Sequence, residues 1–158
     1  MKLNKRISLL MAGAVLGAIL FASTTTAERP AAQTPLEAAA GYYDAYMDRD
    51  AAGMMFYSED TNYLDEKSRK EGYLKDFITN PTTDYQIVGS KKMNNYEFQF
   101  YIVQEYAGQN YDQSPPLPHK VFKTENGWKV LVEPLEINTV TGEVTKGTPI
   151  HALKHTEE

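Results

Sequence analysis

Three histidines, no cysteine and 21 acidic side chains are the reactive inventory of this 158-residue chain. Without cysteine, disulfide scaffolds and thiolate metal sites are excluded. His151 and His155 stand four apart, a spacing that on a helix lets two imidazoles share a metal ion. No carboxylate or third ligand is spaced to complete such a site, and Pro149-Ile150 opens the segment, so a solvated tail over 149–158 and no metal are expected. His119 follows Pro115, Pro116 and Pro118 without a serine or acid to form a triad, and is expected to be exposed. No glycine-rich run follows a strand and opens a helix, so a phosphate-cradling loop is missing. Asp60, Asp65 and Asp84 fall in turn and cap positions, where a short carboxylate ordinarily bonds nearby backbone. No catalytic residue and no cofactor follow from these positions.

The elements that would position any site read as helices first, then strands. Thr34-Pro35-Leu36-Glu37 joins a hydroxyl N-cap, a first-turn proline and a glutamate three residues on, so a helix starts here. Leu36, Ala39, Ala40, Tyr43 and Met47 recur at helical spacing and predict its buried stripe. Asp50 is placed to cap a short second helix over 51–57, followed by the polar break Ser58-Glu59-Asp60 and a short strand at Tyr63-Leu64. Ser68-Arg69-Lys70-Glu71 reads as a capping box for a third helix that buries Tyr73, Leu74, Phe77 and Ile78 and stops at Asn80-Pro81.

Beyond Pro81 the period becomes two. Tyr96, Phe98, Phe100 and Ile102 alternate with Glu97, Gln99 and Tyr101, the pattern of a half-buried antiparallel strand. Tyr85, Ile87 and Val88 precede it across the polar connection 91–95. Residues 121–123 and 128–132 flank Asn126-Gly127, which favours a type I′ hairpin turn. The stretch 107–118 is turn-rich and predicts an exposed loop or edge. A short strand pair is expected around Thr141-Gly142. Together these predict an α+β domain whose N-terminal helices pack on a curved antiparallel sheet.

Charge and the N-terminus bear on location. Lys2, Lys5 and Arg6 precede an uncharged run and then small residues ending at Ala27, the layout of a cleavable signal peptide over 1–27. An uncleaved anchor is the alternative. Residues 28–33 read as a disordered leader and 34–148 as the folded domain. No cysteine is available for lipidation, so a secreted, extracytoplasmic protein free of the membrane after cleavage is expected. Those three cations are part of a total of 16, so cleavage leaves 13 basic against 21 acidic groups and a net charge of −8. An anionic surface argues against nucleic acid.

The order of capped helix, short helix, polar break, third helix and long strands ending in Lys123-Thr124-Glu125-Asn126-Gly127-Trp128-Lys129-Val130 resembles the NTF2-like superfamily, the cone fold of SnoaL-like and ketosteroid-isomerase-like proteins. The resemblance spans roughly Thr34 to Pro134; the proline-rich loop and the strand near Tyr63 depart from it. It implies a pocket at the open end of the cone, lined by Tyr43, Met47, Met54, Tyr57, Phe98, Phe100, Trp128 and Val130 and suited to an apolar or aromatic ligand. The plainer reading is that these side chains fill the core. Ketosteroid-isomerase-like enzymes pair a carboxylate base with a helix tyrosine and a neutral carboxyl. Tyr43 or Tyr46 takes the tyrosine's place by order, but Glu97 and Glu105 fall opposite the Phe98 face, so no inward-facing acid sits in the predicted strands. Three functions stay open: a non-catalytic binding domain for a ligand or protein partner, a pocket enzyme, and an accessory or immunity-type protein acting through its surface. A homodimer through the sheet face of Tyr101, Val103 and Tyr106 accompanies the first.

Overall fold

The computed structural model describes residues 29–107, 112–138 and 140–153; the expected signal peptide, residues 108–111 and His155 lie outside them. Helix α1 (Pro35–Met47) starts as its sequence dictates, the Thr34 hydroxyl accepting the Glu37 N–H at 3.2 Å. The Glu37 carboxylate reaches back to the N–H of Gln33 rather than to Thr34. Its buried face is Ala38, Ala39, Tyr42, Tyr43, Ala45 and Tyr46. The expected stripe was therefore rotated: Leu36 is 55% exposed and Met47 only half-buried, because Tyr42 and Tyr46 compete for the core with far larger rings.

At the end of α1, Arg49 adopts a left-handed backbone, φ 56°, and the N–H of Asp50 bonds the Ala45 carbonyl at 2.8 Å, the closing pattern usually built on glycine. Asp50 then caps α2 (Ala51–Tyr57) by accepting from Gly53 N–H at 3.0 Å. A β-carbon at Gly53 would lie 2.8 Å from that of Ala45, so the α1–α2 corner needs a bare backbone there.

The polar break is itself strand β1 (Ser58–Asp60), paired in parallel with β5, while Tyr63-Leu64 forms no strand. Helix α3 (Glu66–Thr79) is capped by Asp65, whose side chain accepts the Ser68 N–H at 2.8 Å, rather than by the expected Ser68 box. It buries Tyr73 and Phe77 and leaves Leu74 and Ile78 exposed. Arg69 ties α3 to β1, donating to both the hydroxyl and the carbonyl of Ser58.

Strands β2 (Thr82–Asn94), β3 (Glu97–Tyr106), β4 (Leu117–Thr124) and β5 (Gly127–Val132) complete a mixed sheet ordered β1-β5-β4-β3-β2. The register between β2 and β3 slips three times, each slip leaving one extra residue on β2: Thr83, Val88 and Met93. Bulges bend a strand and raise its twist, so this regular series curls the sheet around α1. The β2–β3 turn is tighter than expected, with residues 91–94 inside the strand. In the β4–β5 hairpin only Gly127 takes a positive φ, 102°, so a two-residue Glu125-Asn126 turn entering at Gly127 replaces the expected type I′ turn. Pro118 lies within β4 opposite Tyr101; pairing to β5 begins only at Lys120, so its missing N–H costs no bond on that side. Strands β6 (Leu135–Ile137) and β7 (Val144–Lys146) form the expected small pair.

Both ends of the domain are more ordered than expected. The Ala32 carbonyl accepts the Trp128 N–H at 2.9 Å, Ala32 is buried, and Arg29 pairs with Asp50, so residues 29–33 form a packed strap. At the other end α4 (Ile150–Leu153) docks through the His151 N–H on the Asn62 carbonyl.

His119, expected in solvent, is buried in β4 with its Nε2 hydrogen-bonded to the Tyr43 hydroxyl at 2.9 Å. Alternation puts it on the inner face, opposite Phe100 of β3. Burial pushes its pKa down to about 4, so the folded state holds a neutral imidazole. The unfolded chain protonates near 6.5. Stability from this residue is therefore complete above about pH 6.5 and falls as pH drops toward 4, by about 3 kcal/mol in all. Urea unfolding at stepped pH should show that decline in the wild type and a flatter limb in His119→Gln; equal slopes would contradict the buried neutral imidazole.

Candidate functional site

A cavity of about 450 Å³ opens between α1, α3 and one end of the sheet. Helix α1 contributes Tyr42, Tyr43 and Tyr46; α3 contributes Tyr73 and Asp76; β1 contributes Asp60, and the following turn Asn62 and Tyr63. The sheet adds Gln104, Tyr106, Leu117 and His119, and residues 132–135 with Ile150 form the rim. The wall is thus mainly hydroxyls, amides and carboxylates on aromatic bodies.

The sequence places these groups by simple periodicities. Tyr42, Tyr43 and Tyr46 occupy one helical face of α1, and Tyr73 and Asp76 share a face of α3 three residues apart. Phe98, Phe100, Ile102, Gln104 and Tyr106 alternate along β3, so Tyr106 lies on the inner face with Phe98 and not on the outer face with Tyr101, as the dimer expectation had it. Gly72 gives Tyr63 its place: a β-carbon there would come within 2.2 Å of the Tyr63 hydroxyl.

Most of the polar atoms are committed. Tyr46 donates to Asp76 at 2.5 Å, and Asn80 donates to the other oxygen of that carboxylate at 2.7 Å. Tyr73 donates to Asp60 at 2.9 Å and accepts from Arg69 at 3.1 Å. Asn62 gives Asp60 both its backbone and its side-chain N–H. Tyr106 donates to Gln104 at 2.5 Å, and the Gln104 side chain in turn stands beside the Tyr43 hydroxyl. A chain of polar contacts thus runs Tyr106, Gln104, Tyr43, His119. Burial raises the pKa values of Tyr42, Tyr43, Tyr46 and Tyr73, reinforced at Tyr46 by Asp76 and at Tyr73 by Asp60. These phenols are neutral hydrogen-bond donors, not bases or nucleophiles.

Tyr42 stands apart. Its side chain is 6% exposed and lines the cavity, yet its hydroxyl bonds no described residue; its ring meets Tyr43 edge-on at 5.2 Å. The hydroxyl is close enough to Asp60 for that carboxylate to oppose its ionisation. The Tyr42 oxygen is not sealed from solvent; it opens onto the cavity, where an occupant can engage it.

Of the eight residues expected in the pocket, Tyr43 and Met54 are on this wall. The other six are elsewhere. Phe100 and Val130 fill the core, and Phe98 packs edge-on against Trp128 at 5.7 Å at the end closed by the Ala32 strap. Tyr57 packs outside α1 and donates to the Pro30 carbonyl at 3.4 Å, and Met47 lies half-buried at the end of α1. Acids do line the cavity, but they come from outside the strands the sequence predicts. Asp60 sits in a strand read as a polar break, and Asp76 on α3. The missed signal was the spacing of Tyr42, Tyr43 and Tyr46 in α1 and of Tyr73 and Asp76 in α3, which marks a face both apolar and hydrogen-bonding. No group of three or more histidine, aspartate or glutamate side chains among the described residues could hold a metal ion.

No protein-family profile and no curated protein sequence matches the chain. Solved structures do. A Thiobacillus denitrificans structure described as a calcium/calmodulin-dependent protein kinase type II association domain aligns with TM-score 0.50 and 15% identity, over 65% of this chain and 94% of that one. One from Campylobacter jejuni, described as an NTF2-like transpeptidase, aligns over 64% and 100% at 16% identity and TM-score 0.42. A DUF4783 family protein from Bacteroides ovatus aligns over 59% and 88% at 10% identity and TM-score 0.45. Capped helices followed by a curled mixed sheet, with the Thiobacillus denitrificans neighbour, give the chain an NTF2-like fold.

Proposed function

We propose that this domain is an extracytoplasmic, non-catalytic binding module that holds a small polar ligand in its tyrosine-lined cavity. The observation that carries the reading is the Tyr42 hydroxyl, which opens onto the cavity from a buried side chain and bonds no described residue while its neighbours are hydrogen-bonded. The wall supports a polar occupant in place of the apolar one expected, since hydroxyl and amide groups on rigid rings orient polar ligands. The export-type N-terminus supports the location. A non-catalytic role is supported by the state of the titratable groups: phenols kept protonated, His119 kept neutral, and each wall aspartate already holding a tyrosine proton donor.

A pocket enzyme is the second reading, favoured by one observation, the convergence of the Tyr46–Asp76 and Tyr73–Asp60 pairs on one cavity beside His119. A homodimer through the sheet belongs with the first reading and is supported by the exposed Val88, Met93 and Tyr96 at the β2–β3 hairpin.

Two measurements test these proposals. Amide chemical-shift mapping with a library of small polar fragments should give shifts that cluster at Tyr42, Tyr73, Gln104 and His119; shifts confined to the outer sheet, or none, would overturn cavity binding. Light scattering should give twice the monomer mass, and a strictly monomeric protein would remove the dimer.

A further inference from the structure

We infer that the cavity's ligand is a small organic cation, a protonated amine held between the Tyr42 hydroxyl, the Asp60 and Asp76 carboxylates and the surrounding tyrosine rings. The inference deepens the binding reading above and rests on it.

Charge comes first. Asp60, Asp76 and Glu133 line the cavity, and among the described residues no lysine or arginine does. Glu133 is matched at the rim by Lys146 at 3.0 Å. Arg69, the nearest other cation, lies outside the lining and directs its donors to Ser58 and the Tyr73 oxygen. Asp60 and Asp76 therefore face the cavity without a cationic partner among the described residues. An anionic ligand would meet two carboxylates with no compensating charge, which costs several kcal/mol.

Acceptor capacity comes second. A carboxylate offers about four lone-pair sites. Asp76 receives two donors from the protein, Tyr46 and Asn80, and Asp60 receives three, two from Asn62 and one from Tyr73. Each thus keeps room for an incoming N–H. Tyr42, a side chain only 6% exposed, adds a hydroxyl oxygen beside Asp60 that opens onto the cavity and that no described residue engages.

The rings are the third feature. Six tyrosines line the cavity, and an ammonium against tyrosine faces gains about 0.5–2 kcal/mol per contact when desolvated. A bare metal ion would instead need a cluster of oxygen or imidazole ligands, and the described residues hold none. Ring-lined walls with carboxylates behind them suit a charge spread over an organic head.

Isothermal titration of the purified protein with butylammonium, tetramethylammonium, 1-butanol and butyrate tests the class. Butylammonium should bind at least about tenfold more tightly than 1-butanol, a difference of about 1.4 kcal/mol, and butyrate should give no heat. Tyr42→Phe removes no protein hydrogen bond and should fold normally while weakening butylammonium severalfold; Asp60→Asn and Asp76→Asn should each weaken it about tenfold. Equal binding of 1-butanol or butyrate, or unchanged butylammonium affinity in all three variants, would overturn the inference. If polar neutral fragments shift the cavity amides but neither ammonium binds, the cation class fails and the binding reading stands. If nothing binds in the cavity, both fail.

Discussion

A buried tyrosine imposes two demands at once: its ring gains by leaving water, and its hydroxyl loses unless it finds a partner. This chain meets that constraint three times within five residues of α1, at Tyr42, Tyr43 and Tyr46. The rest of the interior is arranged around the answer. Tyr46 is met by Asp76 of α3, and Tyr43 by His119 of β4 with Gln104 of β3 alongside. Tyr73 repeats the pattern against Asp60 of β1. A core of leucines would have needed none of these polar groups and would have closed on itself. Here the hydroxyls hold the walls apart along a polar seam, and the seam is the cavity.

The two ends of the domain differ for the same reason. Where α1 presents alanine and the sheet presents Phe98, Phe100, Trp128 and Val130, packing is dense and the strap through Ala32 seals it. Where α1 presents tyrosine, the sheet answers with Gln104, Tyr106 and His119. The three bulges of β2 let one sheet serve both ends by curling around the helix. Because Thr83, Val88 and Met93 are the extra residues, the curvature is set on the edge strand and β3 stays regular, so its alternation carries from the closed end into the cavity.

Much of this was legible in the sequence. The Thr34 cap, the Asp50 cap, the period-two run through β3 and the hairpin at Asn126-Gly127 are local signals, and local hydrogen bonding enforces them. The α+β order and the NTF2-like resemblance followed from them. What was not legible depended on partners distant in the chain. Ser58-Glu59-Asp60 looks like a loop until β5 pairs with it, and His119 looks like solvent-facing loop until Tyr43 claims its Nε2. The site was half-read for the same reason. Aromatic residues were assigned to one wall by hydrophobicity, whereas those that reach the cavity are the ones whose polar atoms form pairs across it. Apart from its spacing from Tyr73, Asp76 carries no local signal; its role comes from facing Tyr46 across the α1–α3 interface.

The central claim is that three of these hydroxyls hold the structure together and the fourth is kept for something else. Equilibrium unfolding of Tyr43→Phe, Tyr46→Phe, Tyr73→Phe and Tyr42→Phe in the absence of ligand tests it directly. The first three should each lose about 1–3 kcal/mol, because each removes a hydrogen bond, leaving His119 without its tyrosine partner and taking one donor from Asp76 or Asp60. Tyr42→Phe should be about as stable as the wild type, since its hydroxyl makes no hydrogen bond to a described residue and opens onto the cavity. A loss in Tyr42→Phe equal to the others would contradict the account.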